Sequence, residues 1–118
     1  MKNNDVNASL NILVVQNEAA VNKRIYEILL AAGYKHVVFV DCVRSALDVL
    51  RTQPIEALIC NIDLQGLDGW RLSRLVRSGV LRCHSKIPIL LTMSTWCERI
   101  AEVTAREYGV NELVSIDN

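Results

Sequence analysis

An α/β chain does its chemistry where a strand runs out, and in this sequence the polar residue at such a point is Asn61. The run Ala57-Leu58-Ile59-Cys60 before it has strand length and is apolar throughout, the pattern of a strand buried on both faces of a parallel sheet. After Asn61 the chain turns through Ile62 to Leu67 and meets Asp68-Gly69, where a helix begins. The position suits catalysis or ligand binding, but the residue type does not. An amide has no anionic oxygen to attack with, and hard divalent cations prefer carboxylates.

Other residues with chemical potential are scattered. Cys42, Cys60, Cys83 and Cys97 include no C-x-x-C pair, so the simplest reading makes them small core or surface residues in a reducing compartment. Cys83-His84 has only His36 as a further imidazole, and no ligand spacing supports a metal site. Asn7-Ala8-Ser9 fits a glycosylation pattern that has no meaning without secretion. Arg71, Arg74 and Arg77 recur every third residue and could meet an anion or an acidic partner, although a solvated helix face is the commoner explanation.

The elements that must position these residues follow from hydrophobic spacing. Ile12 to Val15 is a β-branched run of strand length, followed by Gln16-Asn17-Glu18. Val21, Ile25, Ile28, Leu29 and Ala32 then recur at helical spacing, with Asn22, Lys23 and Glu27 on the other face and Gly33 as the stop. Val37 to Val40 predicts a second strand, Asp41 an N-cap, and Val43, Ala46, Leu47 and Leu50 a second helix that ends before Pro54. Asp68 caps a third helix with Leu72, Leu75 and Val76 inward. Val80 to Lys86 reads as a loop and Pro88 to Thr92 as the fourth strand. Thr95-Trp96-Cys97-Glu98 is a capping box that opens a fourth helix, with Trp96, Ile100 and Val103 inward and Gly109 at its end. Glu112 to Ile116 is the fifth strand. Five strands alternating with four helices imply a parallel sheet with right-handed crossovers and helices on both sides.

At 118 residues the chain makes one domain, with residues 1–10 as a flexible leader before a domain over 11–118. Its 13 basic and 13 acidic residues balance, which gives no electrostatic reason to expect direct nucleic-acid or membrane binding. The longest apolar stretches, Ile28 to Ala32 and Ile87 to Leu91, fall far short of the roughly 20 residues a membrane span requires. Met1 to Leu10 is polar and lacks the apolar centre of a signal peptide, so the chain reads as cytoplasmic.

In order and spacing, Ile12-Leu13-Val14-Val15-Gln16-Asn17-Glu18, Leu67-Asp68-Gly69, Pro88-Ile89-Leu90-Leu91-Thr92 and Tyr108-Gly109-Val110 resemble the receiver domain of bacterial two-component response regulators. The resemblance runs from Asn11 to about Asp117. It implies a flavodoxin-like, three-layer α/β/α fold with a five-stranded parallel sheet in the order 2-1-3-4-5 and a site between strands one and three. It also implies two acidic residues after strand one, where this chain has Gln16 and Asn17. The phosphoacceptor aspartate would fall on Asn61, and the lysine that ends strand five on Ile116. The hydroxyl residue ending strand four falls on Ser94 or Thr92, with Met93 the position counted from Pro88.

These departures point to a degenerate receiver, a non-enzymatic signalling module without cofactor that works by protein contact. Exchanging acid for amide at positions 16, 17 and 61 removes the charges that would hold Mg²⁺, with Asp63 and Glu18 left as weak replacements. The exchange should steady the fold, because like charges about 4 Å apart repel by roughly 4 kcal/mol at an effective dielectric of 20. Gln16, Asn17 and Asn61 are expected to form a neutral hydrogen-bonded network. The resemblance places the partner surface on the fourth helix and fifth strand, at Trp96, Arg99 and Arg106, for a signalling protein or a covalently linked output domain. Family members add a helix after strand five, and this chain stops at Asn118. The first-helix side of the sheet should therefore expose apolar area and favour a homo-oligomer unless a longer chain covers it. Two alternatives are a phosphoacceptor that uses Asp63, and a flavodoxin-like cofactor binder. The second lacks a glycine or Ser/Thr cluster in the loop after strand one.

Overall fold

The computed structural model describes residues 7–64, 68–81, 83–93 and 104–115. Five strands, β1 (Asn11–Val15), β2 (His36–Val40), β3 (Ala57–Asn61), β4 (Ile89–Met93) and β5 (Glu112–Ser115), form one parallel sheet in the order β2-β1-β3-β4-β5. Three helices are described in full, α1 (Ala19–Ala31), α2 (Val43–Thr52) and α3 (Gly69–Arg77), and residues 104–107 form a further helical turn before β5. Trp96, Ile100, Val103 and the capping box lie outside the described residues, as do Cys97, Arg99, Ser94 and Ile116.

The crossovers put the helices on opposite faces of the sheet, and the two faces differ. Leu13, Val15, Leu58, Cys60, Ile89 and Leu91 point one way and meet α2 and α3 in the larger core, which extends to Ala105 and Val110. Ile12 and Val14 point the other way and meet Val21, Ile25 and Leu29 of α1, with Val37, Phe39 and Ile59 packed around them. Beside α1 on that face an open apolar groove of about 300 Å³ runs over Ile59, Leu90, Thr92 and Val114. Ile28 on its rim is 65% exposed, so among the described residues this face keeps apolar area in water.

Helix ends follow the expected chemistry at most points. Gly33, at φ 94°, closes α1 with paired bonds from Gly33 N to Leu30 O and Tyr34 N to Leu29 O, and Gly109 closes the 104–107 turn in the same way. Asp68 caps α3 by accepting the Arg71 backbone N–H at 2.8 Å. α2 differs from expectation. Its N-cap is Cys42 rather than Asp41, and no side chain caps it, because the strand-to-helix turn continues one residue further. Glu18 takes the N-cap position of α1, also without a side-chain bond. β4 begins at Ile89 rather than Pro88; the proline has no N–H to donate and contributes only its carbonyl, to Leu58 N at 3.0 Å. Asn7–Ser9, counted within the leader, form a helical turn, and Asn7 Nδ2 donates to Ala32 O at 2.7 Å, tying it to the end of α1.

The arginine series divides into three roles. Arg71 is exposed. Arg74 lies 4.5 Å over the Tyr108 ring, which also meets Trp70 at 5.7 Å. Arg77 is a structural clasp rather than part of a solvated or anion-binding face. Its Nε donates to Gly109 O at 2.9 Å and its Nη1 to Ser85 O at 2.8 Å and Ile87 O at 2.6 Å. Its Nη2 donates to Asn111 Oδ1 at 2.9 Å, and that same oxygen accepts from Ile89 N at 2.8 Å. One guanidinium thus gathers the end of α3, the loop into β4 and the turn into β5. Arg77→Ala should cost about 2 kcal/mol in urea unfolding, since it strands several carbonyls. Arg77→Lys should recover less than half of that, because a point charge lacks the planar fork of donors.

Candidate functional site

Strand alternation builds the site. In the parallel register Val15 pairs with Cys60 and Asn61 with Thr92. Side chains alternate between faces, so Ile59 and Asn61 share the α1 side with Leu90 and Thr92, while Gln16, one residue past β1, continues the face of Ile12 and Val14. Three polar residues thereby converge at the C-terminal edge of neighbouring strands, where the order reverses between β1 and β3. Gln16, Asn61 and Thr92 are all buried, at 2%, 8% and 3% exposure.

Buried amides need partners, and these have them. Asn61 Nδ2 donates to Gln16 Oε1 at 3.0 Å and to Asn17 Oδ1 at 3.1 Å. Gln16 Nε2 passes the chain on to Thr92 Oγ1 at 3.3 Å. Asn17 Nδ2 donates to the Asp63 carbonyl at 3.4 Å, and Asp63 N returns a bond to Asn61 Oδ1 at 3.3 Å. The three amides anticipated as a group are thus in mutual contact. Of the residues considered for the hydroxyl position, Thr92 and Met93 both line the site, and Ser94 lies outside the described residues.

The remaining space is small. A cavity of about 20 Å³ lies among Gln16, Val21, Asn61, Thr92, Asp63 and Glu18, room for one water molecule. Asp63 and Glu18 are exposed at its mouth, and among the described residues no group of three His, Cys, Asp or Glu side chains could hold a metal ion. Burial, and secondarily Asp68, pushes the Cys60 thiol up to about 12, so the sulfur next to Asn61 stays protonated and is a poor nucleophile at neutral pH. Arg106 is exposed on the 104–107 turn, far along the chain from this cluster.

Two supporting residues were not singled out from sequence. Asn22, expected on the outer face of α1, is half-buried and donates its Nδ2 to the Gln16 carbonyl at 3.2 Å; its Oδ1 is buried without a partner among the described residues. Gly69 is the other. A Cβ there would lie 2.7 Å from Asn61 O and 3.0 Å from Ile62 Cα, and Gly69 N donates to Ile62 O at 2.9 Å. The N-terminus of α3 rests directly on the backbone of the site. A glycine at the first position of a helix, where no turn demands one, was the available signal of that approach.

The strand order with a polar site at the β1/β3 switch point defines a doubly wound, flavodoxin-like α/β domain, and the sequence comparisons say which family within that class. Residues 12–115 match the model of the response regulator receiver domain, and the chain belongs to that family. It is similar to the Fimbriae Z protein of Salmonella typhimurium, 29% identical over 105 residues covering 87% of this chain and 48% of that protein. It is also similar to the probable transcriptional regulator ycf29 of Cyanophora paradoxa, 25% identical over 114 residues covering 91% of this chain and 54% of the relative. The chain therefore spans about half the length of these relatives. In fold it matches the signal receiver domain of a signal transduction histidine kinase from Syntrophus aciditrophicus, with a TM-score of 0.75, 23% identity, and coverage of 91% of this chain and 78% of that one. No helix among the described residues is long and apolar enough to cross a membrane.

Gly69→Ala should unfold at lower urea by about 1–3 kcal/mol, since backbone must move to admit the methyl group. The side-chain amide resonances of Asn61 should shift in the same variant; unchanged resonances would disprove the coupling of α3 to the site.

Proposed function

We propose that this chain is a degenerate receiver that signals by protein contact, without an aspartyl phosphate of its own. The observation that carries the reading is the buried bonding of Asn61, whose Nδ2 donates to both Gln16 Oε1 and Asn17 Oδ1. A receiver working as phosphoacceptor would need an anionic oxygen at that point, and Asn61 offers an amide already committed to its neighbours.

The same bonding argues against the divalent cation that phosphoryl transfer would use. Mg²⁺ favours carboxylates and retained waters in near-ideal octahedral geometry. Here the inner oxygens belong to amides: Gln16 Oε1 and Asn17 Oδ1 accept from Asn61, and Asn61 Oδ1 accepts from Asp63 N. The nearby carboxylates, Asp63 and Glu18, are exposed. The residues do not fit the ion. Thr92 bonds to Gln16 rather than standing ready for a phosphoryl oxygen. The partner is a signalling protein or an output domain on the same polypeptide; one relative, about twice this length, is named a probable transcriptional regulator. The surface offered would be the 104–107 turn with β5, including Arg106; Trp96 and Arg99, the other expected contacts, lie outside the described residues.

Three measurements test this. Mg²⁺ with beryllofluoride, a phosphate mimic, should leave the melting midpoint unchanged; a clear rise would refute the reading. Acetyl phosphate treatment followed by mass spectrometry should give no acyl phosphate, and one found on Asp63 would establish that residue as the acceptor instead. A partner recovered by pull-down should bind wild type and Asn61→Asp equally, with or without acetyl phosphate.

A further inference from the structure

We propose that β2 is a pairing edge for a second copy of this chain, the two β2 strands running antiparallel about a two-fold axis at Val38 so that two sheets become one. The inference goes beyond the signalling role and does not rest on it. β2 is the outermost strand, at the edge of the sheet opposite β5. Gln16 N donates to Val40 O at 3.0 Å, which points the Val40 main chain at β1. Main-chain groups alternate sides along a strand, so those of His36 and Val38 also face β1. The N–H and C=O of Val37 and Phe39 then face away from the sheet, with no strand beyond them among the described residues. Such edges are usually blunted by a proline, a bulge or a charge within the strand. β2 reads His-Val-Val-Phe-Val and pairs with β1 in unbroken register, with no proline, no bulge and no Lys, Arg, Asp or Glu inside it.

The residues flanking the strand select the occupant. Lys35 precedes β2 and Asp41 follows it; both are exposed, and neither is engaged by another side chain among the described residues. They stand equally far from Val38 along the chain. Running the strand against itself therefore lays Lys35 opposite the partner's Asp41 at each end of the pairing, and both contacts are attractive. The same register sets Val37 opposite the partner's Phe39, a favourable cross-strand pair of a β-branched and an aromatic side chain. These are the residues whose outward N–H and C=O groups can exchange both bonds of an antiparallel pair. Charge, side chain and main chain thus agree on one register, and a second copy meets all three by symmetry in a contact that closes on itself. On the α1 side a shallow depression of about 350 Å³ runs along this edge, lined by Tyr26, Val37 and Phe39 with Asn22 and Lys23. Tyr26 is 48% exposed against the Phe39 ring. The two-fold axis brings the depressions of the two copies side by side, which takes this apolar edge out of water.

Sedimentation equilibrium of the 118-residue chain from about 1 µM to several hundred µM should show a concentration-dependent dimer. Amide hydrogen exchange should slow at Val37 and Phe39 as the concentration rises, while Val38 and Val40 are protected throughout by their bonds to β1. Val37→Pro removes an outward N–H that no bond within the sheet uses, and should weaken the dimer at least about tenfold. Lys35→Asp and Asp41→Lys should each weaken it too, because each reversal sets like charges together at both ends. The double variant K35D/D41K should restore it. Circular dichroism and unchanged protection at Val38 and Val40 check that each variant is folded. A chain that stays monomeric throughout, or a dimer in which Val37 and Phe39 exchange as fast as in the monomer, overturns the proposal. Self-association indifferent to Val37→Pro and without recovery in the double variant overturns it equally.

Discussion

A polar side chain taken out of water must be given partners, and the C-terminal edge of this sheet is arranged to do that for Asn61. Parallel pairing places Asn61 beside Thr92 and brings Gln16 around from the end of β1, so the partners come from neighbouring strands rather than from neighbouring sequence. Each bond within the cluster links segments 44 to 76 residues apart or closes the short turn at Asp63. The amide network is therefore a property of the assembled sheet. Its loss would open the junction at which β1, β3 and β4 end together.

α3 carries the consequences away from that edge. At its start Gly69 sits so close to the Asn61 carbonyl that no larger residue fits without movement, and at its end Arg77 holds the segments that lead into β4 and β5. Between these points Trp70 and Arg74 lean on Tyr108. A nine-residue helix thus joins the polar cluster to the far side of the sheet by direct contact at both ends. This is the physical connection between the strand ends and the region around Arg106.

The two faces of the sheet are finished differently. α2 and α3 bury the larger core, whereas α1 covers β2, β1 and β3 and leaves the groove over β4 and β5 open among the described residues. Thr92 belongs to both neighbourhoods, lining the groove and accepting from Gln16. Whatever covers that groove lies one side chain from the amide cluster.

The alternation of apolar runs and amphipathic stretches was sufficient to place all five strands and the three fully described helices, because each element's burial is written in its own spacing. Position, too, was legible: Asn61 had to end β3, and the resemblance to receivers put Gln16 and Asn17 beside it. Hydrogen-bond partners were not legible, since they depend on register, and only pairing of Asn61 with Thr92 singles out that threonine from its neighbours in sequence. The roles of Arg77, Asn22 and Gly69 likewise belong to the tertiary structure. A spacing of three marks Arg71, Arg74 and Arg77 as equivalent, but only packing shows that one faces water, one lies over a ring and one fastens three segments together. Local pattern determines which way a residue points, and the fold decides what it meets there.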